Sequence, residues 1–243
     1  MKINKIQLMQ VLRNKRFLLF TVLVPVCWYA FFFNVQEDAV PSVVLGIAVF
    51  IGIIGNSLAT FSKRVSANID FYRFESSFTH YSLSRWLVAQ SFVQLVLNAL
   101  IFAVVFVCAI LFFKFPVSAG VAAQFVLLML MGVWFSFIGF VLGVRVDSKI
   151  IDTVSFPVIV VAAVTIFPFS RFGATGGFVD VADKVQMIFP GYWYSGIVDS
   201  LTAGSPVEVK HVLLFALTFV ADLIPLYLLI PNSCRKINSG TRS

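Results

Sequence analysis

Residues 86–113 read WLVAQSFVQLVLNALIFAVVFVCAILFF, an unbroken run without one charged side chain. About 20 apolar residues make a helix of ~30 Å, enough to cross the hydrocarbon core of a bilayer. The run is longer than that, and its strongest polar interruptions are the amides Gln90, Gln94 and Asn98. Spaced by four, these amides fall on one helical face. Lipid penalises bare amides, so the stripe is expected to face other helices or a hydrated path. Hydrogen bonding between helices is the plainer use of such a stripe, and lining a substrate pathway is the sharper one.

Comparable apolar runs fall at 17–35, 42–61, 117–144, 150–169 and 211–230. The expectation is therefore an all-α polytopic membrane protein, with six transmembrane helices forming a single transmembrane domain over residues 1–243. The composition agrees: 12% of the residues are charged and 60% are hydrophobic, against about 25% charged in a soluble domain. Mean hydropathy is +0.97. A cleaved leader is not expected, because the run from Phe17 exceeds the roughly 7–15 residues of a signal-peptide core and offers no small-residue cleavage site.

Six crossings put both termini on one side. That side would hold 14 of the 18 basic residues, among them Lys63, Arg64, Arg73, Arg145 and Lys149, against Lys114, Arg171, Lys184 and Lys210 on the other. The positive-inside bias then makes both termini cytoplasmic. The net charge of +7 follows from this topology and from contact with anionic lipid, and no nucleic-acid partner is expected.

Cys27, Cys108 and Cys234 are odd in number and widely spaced, so no disulfide framework is implied. His80 and His211 are too scattered for a metal site. No G-x-x-x-x-G-K-[ST] phosphate loop, H-E-x-x-H pair or cysteine cluster occurs. The chain is expected to bind no cofactor of its own.

Basic and apolar residues mix over 1–16, as in a helix lying at the inner headgroups. Ala48, Gly52 and Asn56 in the second run, and Gly132, Ser136, Gly139 and Gly143 in the fourth, recur at helical spacing. Small residues so placed let backbones approach closely, making packing seams within the chain or between two copies. Residues 178–203 read as two short amphipathic helices with an aromatic belt at Tyr192, Trp193 and Tyr194. They would cap the outer face or dip partway back into the membrane. Asp222 lies near the middle of the last run, where a carboxylate costs about 2.5–3.5 kcal/mol, and it is a candidate functional residue.

Gly55, Asn56 and Ser57 resemble the Gly-x-Ser element of six-helix intramembrane serine proteases. Such a serine needs a histidine base within hydrogen-bond reach. His80 falls in a cytoplasmic loop and His211 at the outer edge of the last span, so neither is expected to serve it.

Between the second and third runs lies NIDFYRFESSF, residues 68–78. On a helix, Phe71, Phe74 and Phe78 share one face, Asp70 and Glu75 flank it, Arg73 and Tyr72 lie away from it, and Asn68 is a candidate N-cap. A short cytoplasmic helix over 66–80 is the expectation. Its aromatic face would rest on the inner leaflet or anchor a protein partner, with the charged rim setting specificity.

In its order of features the chain resembles the membrane permease subunit of type-2 ABC exporters. The local cues are RNKRFLLFTVLVP at 13–25, the insert followed by THYSLSRWLVAQ at 79–90, and MIFPGYWYSGIVDSLTAG at 187–204. Where that family often carries a proline entering the third span, this chain has His80, Tyr81, Ser82 and Leu83. The resemblance implies a bacterial cytoplasmic membrane location, a second permease copy or paralogue, and two cytoplasmic ABC ATPase subunits holding ATP and magnesium. It implies that Asp70, Phe71, Arg73, Phe74, Glu75 and Phe78 form the ATPase-coupling helix. Asn56, Gln90, Gln94, Asn98 and Asp222 then become candidates for the pathway of an amphipathic or lipophilic substrate such as a peptide, bacteriocin, toxin or drug. An ion-coupled secondary transporter working through Asp222 is the alternative, and it would show internal repeats and broken helices.

Overall fold

A computed structural model of the chain describes residues 23–35, 40–78, 83–164 and 176–230. The interfacial helix expected at 1–16, the start of the first run, His80 and the C-terminal tail lie outside the described residues. Those that are described form helices joined by short connections, with no strand. In order they are α1 (Val24–Val35), α2 (Pro41–Ile54), a π-helical segment (Gly55–Phe61), α3 (Ser62–Phe78), α4 (Leu83–Phe113), α5 (Ala119–Arg145), α6 (Ser148–Val164), α7 (Gly177–Gln186), α8 (Pro190–Thr202) and α9 (Val209–Leu228).

Four helical stretches are long and apolar enough to cross a membrane: Pro41–Tyr72, Arg85–Phe113, Gly120–Arg145 and Val209–Leu228. The first and fifth expected spans are represented by α1, with 12 described residues, and by α6, with 17 residues and Pro157 inside it. Apolar side chains such as Leu111, Phe112, Leu213, Leu217 and Ile224 face outward, as they do where the surrounding solvent is lipid.

The region after the second run departs from expectation. No separate helix begins near Asn68: α2, the π segment and α3 follow one another without a break. From Asn56 to Phe78 there is neither Gly nor Pro to stop a helix. The polar side chains that could cap a new helix instead bond back to their own turn. Ser62 Oγ donates to the Leu58 and Ala59 carbonyls, and Asn68 Nδ2 donates to the Arg64 carbonyl at 2.7 Å. Val65, Ile69 and Tyr72, at i, i+4 and i+7, are buried against Trp86, Leu87, Phe140 and Val144. Tyr72 stacks on Trp86 with ring centres 4.6 Å apart.

The small-residue seams are intrachain. A Cβ on Gly139 would fall on the Ser57 carbonyl oxygen, and one on Gly143 on that of Ser62 and on Val65. Gly52 likewise admits Pro25 of α1 and Ile101 of α4. Helix α5 therefore lies backbone to backbone along the π segment and α3.

Polar contacts sort to the two ends of this bundle. At one end Gln124 Nε2 donates to the Ser42 carbonyl at 2.8 Å, and the Ser42 and Thr202 hydroxyls are 3.1 Å apart. At the other, Lys63 pairs with Asp152 at 2.6 Å, Ser66 Oγ donates to the Val146 carbonyl, and Arg145 caps α9 through two bonds to the Leu229 carbonyl. The Lys63–Asp152 pair is about half exposed on both sides, so its contribution is roughly 0–1 kcal/mol.

Helix α8 enters the bundle, whereas most of α7 is exposed. Pro190, Trp193, Tyr194, Ile197 and Val198 are buried, and Tyr194 meets Phe50 edge-on at 5.2 Å. Phe50 lies about 13 Å along α2 from Pro41 at 1.5 Å per residue, so α8 penetrates well below that end. Trp193 Nε1 closes the α7–α8 turn by donating to the Met187 carbonyl at 2.9 Å.

Candidate functional site

The polar side chains of the second and third runs meet in one place. Asn56, Ser57, Gln94 and Asn98 are 3%, 0%, 0% and 0% exposed. Asn56 Nδ2 donates to Asn98 Oδ1 at 3.0 Å. Gln94 Nε2 points at both Ser57 Oγ and Asn98 Oδ1, each at 3.4 Å. Gln94 Oε1 accepts from Arg64 Nη2 at 3.3 Å. The cluster thus runs from Asn56 and Asn98, through Gln94 and Ser57, to the guanidinium of Arg64.

Two independent depths agree on where it sits. Asn56 is 15 residues beyond Pro41, and Asn98 is 15 residues before Phe113. Both therefore lie about 22 Å from the end that holds Ser42. The π segment carries Asn56 and Ser57, and such widened turns recur at functional positions because they re-aim side chains at the cost of regular bonding. Gly132, whose Cβ would collide with the Asn98 amide, makes the room on the α5 side.

Gln90 is buried and engaged one turn further along the same face of α4. Asp222 is not part of the cluster. Its carboxyl faces the indole of Trp134 on α5, yet Asp222 Oδ2 and Trp134 Nε1 are both buried without a closed hydrogen bond. The aromatic stretch is separate again. Phe71, Phe74 and Phe78 are 67%, 65% and 77% exposed, with Phe74 and Phe78 in edge contact at 5.0 Å. Asp70 is exposed and engaged. The side chains of Arg73 and Glu75 lie outside the described residues.

Ser57 has Gln94 as its side-chain partner. His211 packs its ring against Gly196 and Trp193, near the opposite end of the bundle, with Glu208 3.9 Å away. Among the described residues no cluster of His, Cys, Asp or Glu is placed to hold a metal.

Arg64 is the member that sequence reasoning left among the topological charges. In a regular α-helix it would stand about 80° from the Asn56 face, and the π segment resets that angle. Gln94→Leu leaves Ser57, Asn98 and Arg64 each short of a partner. It is expected to destabilise the chain by about 1–3 kcal/mol, read as a lowered thermal midpoint of the detergent-purified protein.

Comparison with family models, curated proteins and solved structures gives no match. The functional reading therefore rests on the residues and their arrangement.

Proposed function

We propose that the chain is the permease subunit of a type-2 ABC exporter, with six spans and both termini cytoplasmic, moving an amphipathic or lipophilic substrate out of a bacterium. A separate ATPase would supply the energy, since the sequence contains no phosphate loop. The observation that carries this reading is the exposed face of Phe71, Phe74 and Phe78 on a helix continuous with the second span. Phe78 lies about 55 Å from Pro41 along that helix, well past the ~30 Å of a hydrocarbon core. Three aromatic side chains held out on a rigid extension are suited to anchor a protein partner.

The continuity of α2, the π segment and α3 gives coupling a mechanical form. A push on the Phe face would be carried along α3 by its buried stripe of Val65, Ile69 and Tyr72 and reach the π segment directly. That segment, wound with i→i+5 bonds in place of the α pattern, is the place for the helix to rearrange against α5. Transport is then a population shift between two packings of α2 and α3 against α5.

The orientation has its own check. Lys184 is exposed on α7. In a background lacking Cys27, Cys108 and Cys234, Lys184→Cys is expected to react with an impermeant thiol reagent added outside cells; labelling only after permeabilisation reverses the topology.

A second reading, ion coupling through Asp222, is favoured by its buried oxygen without a closed hydrogen bond. Asp222→Asn is expected to slow transport without weakening assembly under either reading, and the energy source separates them. In proteoliposomes, transport that persists with ATP after ionophores collapse all gradients supports the exporter; transport that follows an ion gradient without ATP supports the alternative. The direct test is affinity purification from native membranes, with ATP hydrolysis by a co-purifying polypeptide as the expected result.

A further inference from the structure

Donors and acceptors do not balance in the polar cluster between the π segment, α3 and α4. Arg64 Nε, Arg64 Nη1 and Asn98 Nδ2 are buried donors with no partner among the described residues, and Asn56 Oδ1 is the one cluster acceptor left over. Nε carries one N–H and Nη1 two, so three of the five guanidinium hydrogens point at nothing that accepts them. The carboxylate on neighbouring α6, Asp152, is taken by Lys63 at 2.6 Å. Arg64 lies instead across the face of Phe61, 5.1 Å from the ring centre.

An enclosed guanidinium is retained where something satisfies it, and the chemistry that does so is anionic oxygen. The level in the membrane narrows the choice. Arg64 is 23 residues beyond Pro41, about 35 Å along the helix, so it stands at headgroup depth beyond the ~30 Å core. Arg64 as a residue is partly exposed, while its Nε and Nη1 are buried. Behind it, Gln94, Ser57 and Asn98 lead away from the headgroups into the bundle.

We propose that Arg64, backed by Gln94 and Asn98, is a binding site for a phosphate or carboxylate group. Its natural source is the headgroup of an amphiphile in the cytoplasmic leaflet, with a free anion as the other source. The site belongs to this chain alone and holds whatever powers transport, so a test without ATPase leaves the exporter reading untouched.

The full chain, purified and placed in phosphatidylcholine nanodiscs, is titrated with phosphatidylglycerol in one arm and inorganic phosphate in the other. Bound ligand is counted by native mass spectrometry. Phosphatidylglycerol is expected to bind selectively and to lose roughly 10- to 100-fold in affinity in Arg64→Gln, the effect of one charge-assisted contact. Arg64→Lys, which keeps the charge without the planar donors, should fall between the two. Lys63→Gln, one residue away on the exposed salt bridge, should bind as the unmodified chain does. Arg64-dependent binding confined to inorganic phosphate supports the anion site and assigns it to a free anion. Binding by folded Arg64→Gln at the unmodified level, equal loss in Lys63→Gln, or no selective binding in either arm overturns the proposal.

Discussion

Gly139→Ala is expected to lower the thermal midpoint of the purified chain by roughly 6–12 °C, the shift that ~3 kcal/mol produces in a chain of this size. The added methyl would land on the Ser57 carbonyl oxygen, a backbone atom that cannot swing aside as a side chain does. Relief requires α5 to move away from the π segment, and overpacking of this kind costs about 1–3 kcal/mol even where side chains can yield. The same movement would pull Gly132 away from Asn98 and loosen the polar cluster. Gly55→Ala is the control. Its Cβ would meet nothing within 4 Å, and replacing a helical glycine usually stabilises by about 0.5–1 kcal/mol. Equal midpoints for the two variants would show that α5 does not lie backbone to backbone along the π segment.

Combined Phe71→Ala and Phe74→Ala should weaken assembly with the proposed ATPase by about 100-fold and leave the thermal midpoint within ~2 °C. Interface aromatics commonly contribute ~2 kcal/mol or more each, and two neighbours are not fully additive. Stability is spared because both rings are 65% exposed or more. Tyr72→Ala, on the residue between them, should do the opposite of sparing the fold. Tyr72 is 4% exposed and stacked on Trp86, and losing a buried aromatic costs about 3–5 kcal/mol. Binding isotherms and melting curves on the two variants separate a docking face from a packing face one residue apart.

Much of this architecture is legible because lipid imposes a simple rule of length and polarity. The amide spacing of Gln90, Gln94 and Asn98 identified one polar face of α4, and the spacing of Gly132, Ser136, Gly139 and Gly143 identified one seam of α5. Helices α7 and α8 occupy the stretch expected at 178–203, with Gly177 at the start of α7 and Pro190, expected as a break, at the start of α8. What sequence periodicity could not show was continuity. Asn68 has the identity of an N-cap, yet its amide bonds to Arg64 inside a helix, a choice made by the burial of Val65, Ile69 and Tyr72. The wheel gave the face of Phe71, Phe74 and Phe78 correctly and left open that the opposite face is the one the fold buries. Arg64 entered only as a charge on the inner side, because its place beside Gln94 depends on the π segment, and no residue pattern announces that turn.

The central claim is that the Phe face of α3 is where a cytoplasmic ATPase takes hold. Its most direct test replaces Phe74 with a photo-reactive phenylalanine analogue in living cells, with the same replacement at Leu217 on the outward face of α9 as the reference. The account predicts a cross-link from position 74 to an ATP-hydrolysing polypeptide and none from position 217. Cross-links from position 74 to lipid alone would contradict it and return α3 to the inner leaflet.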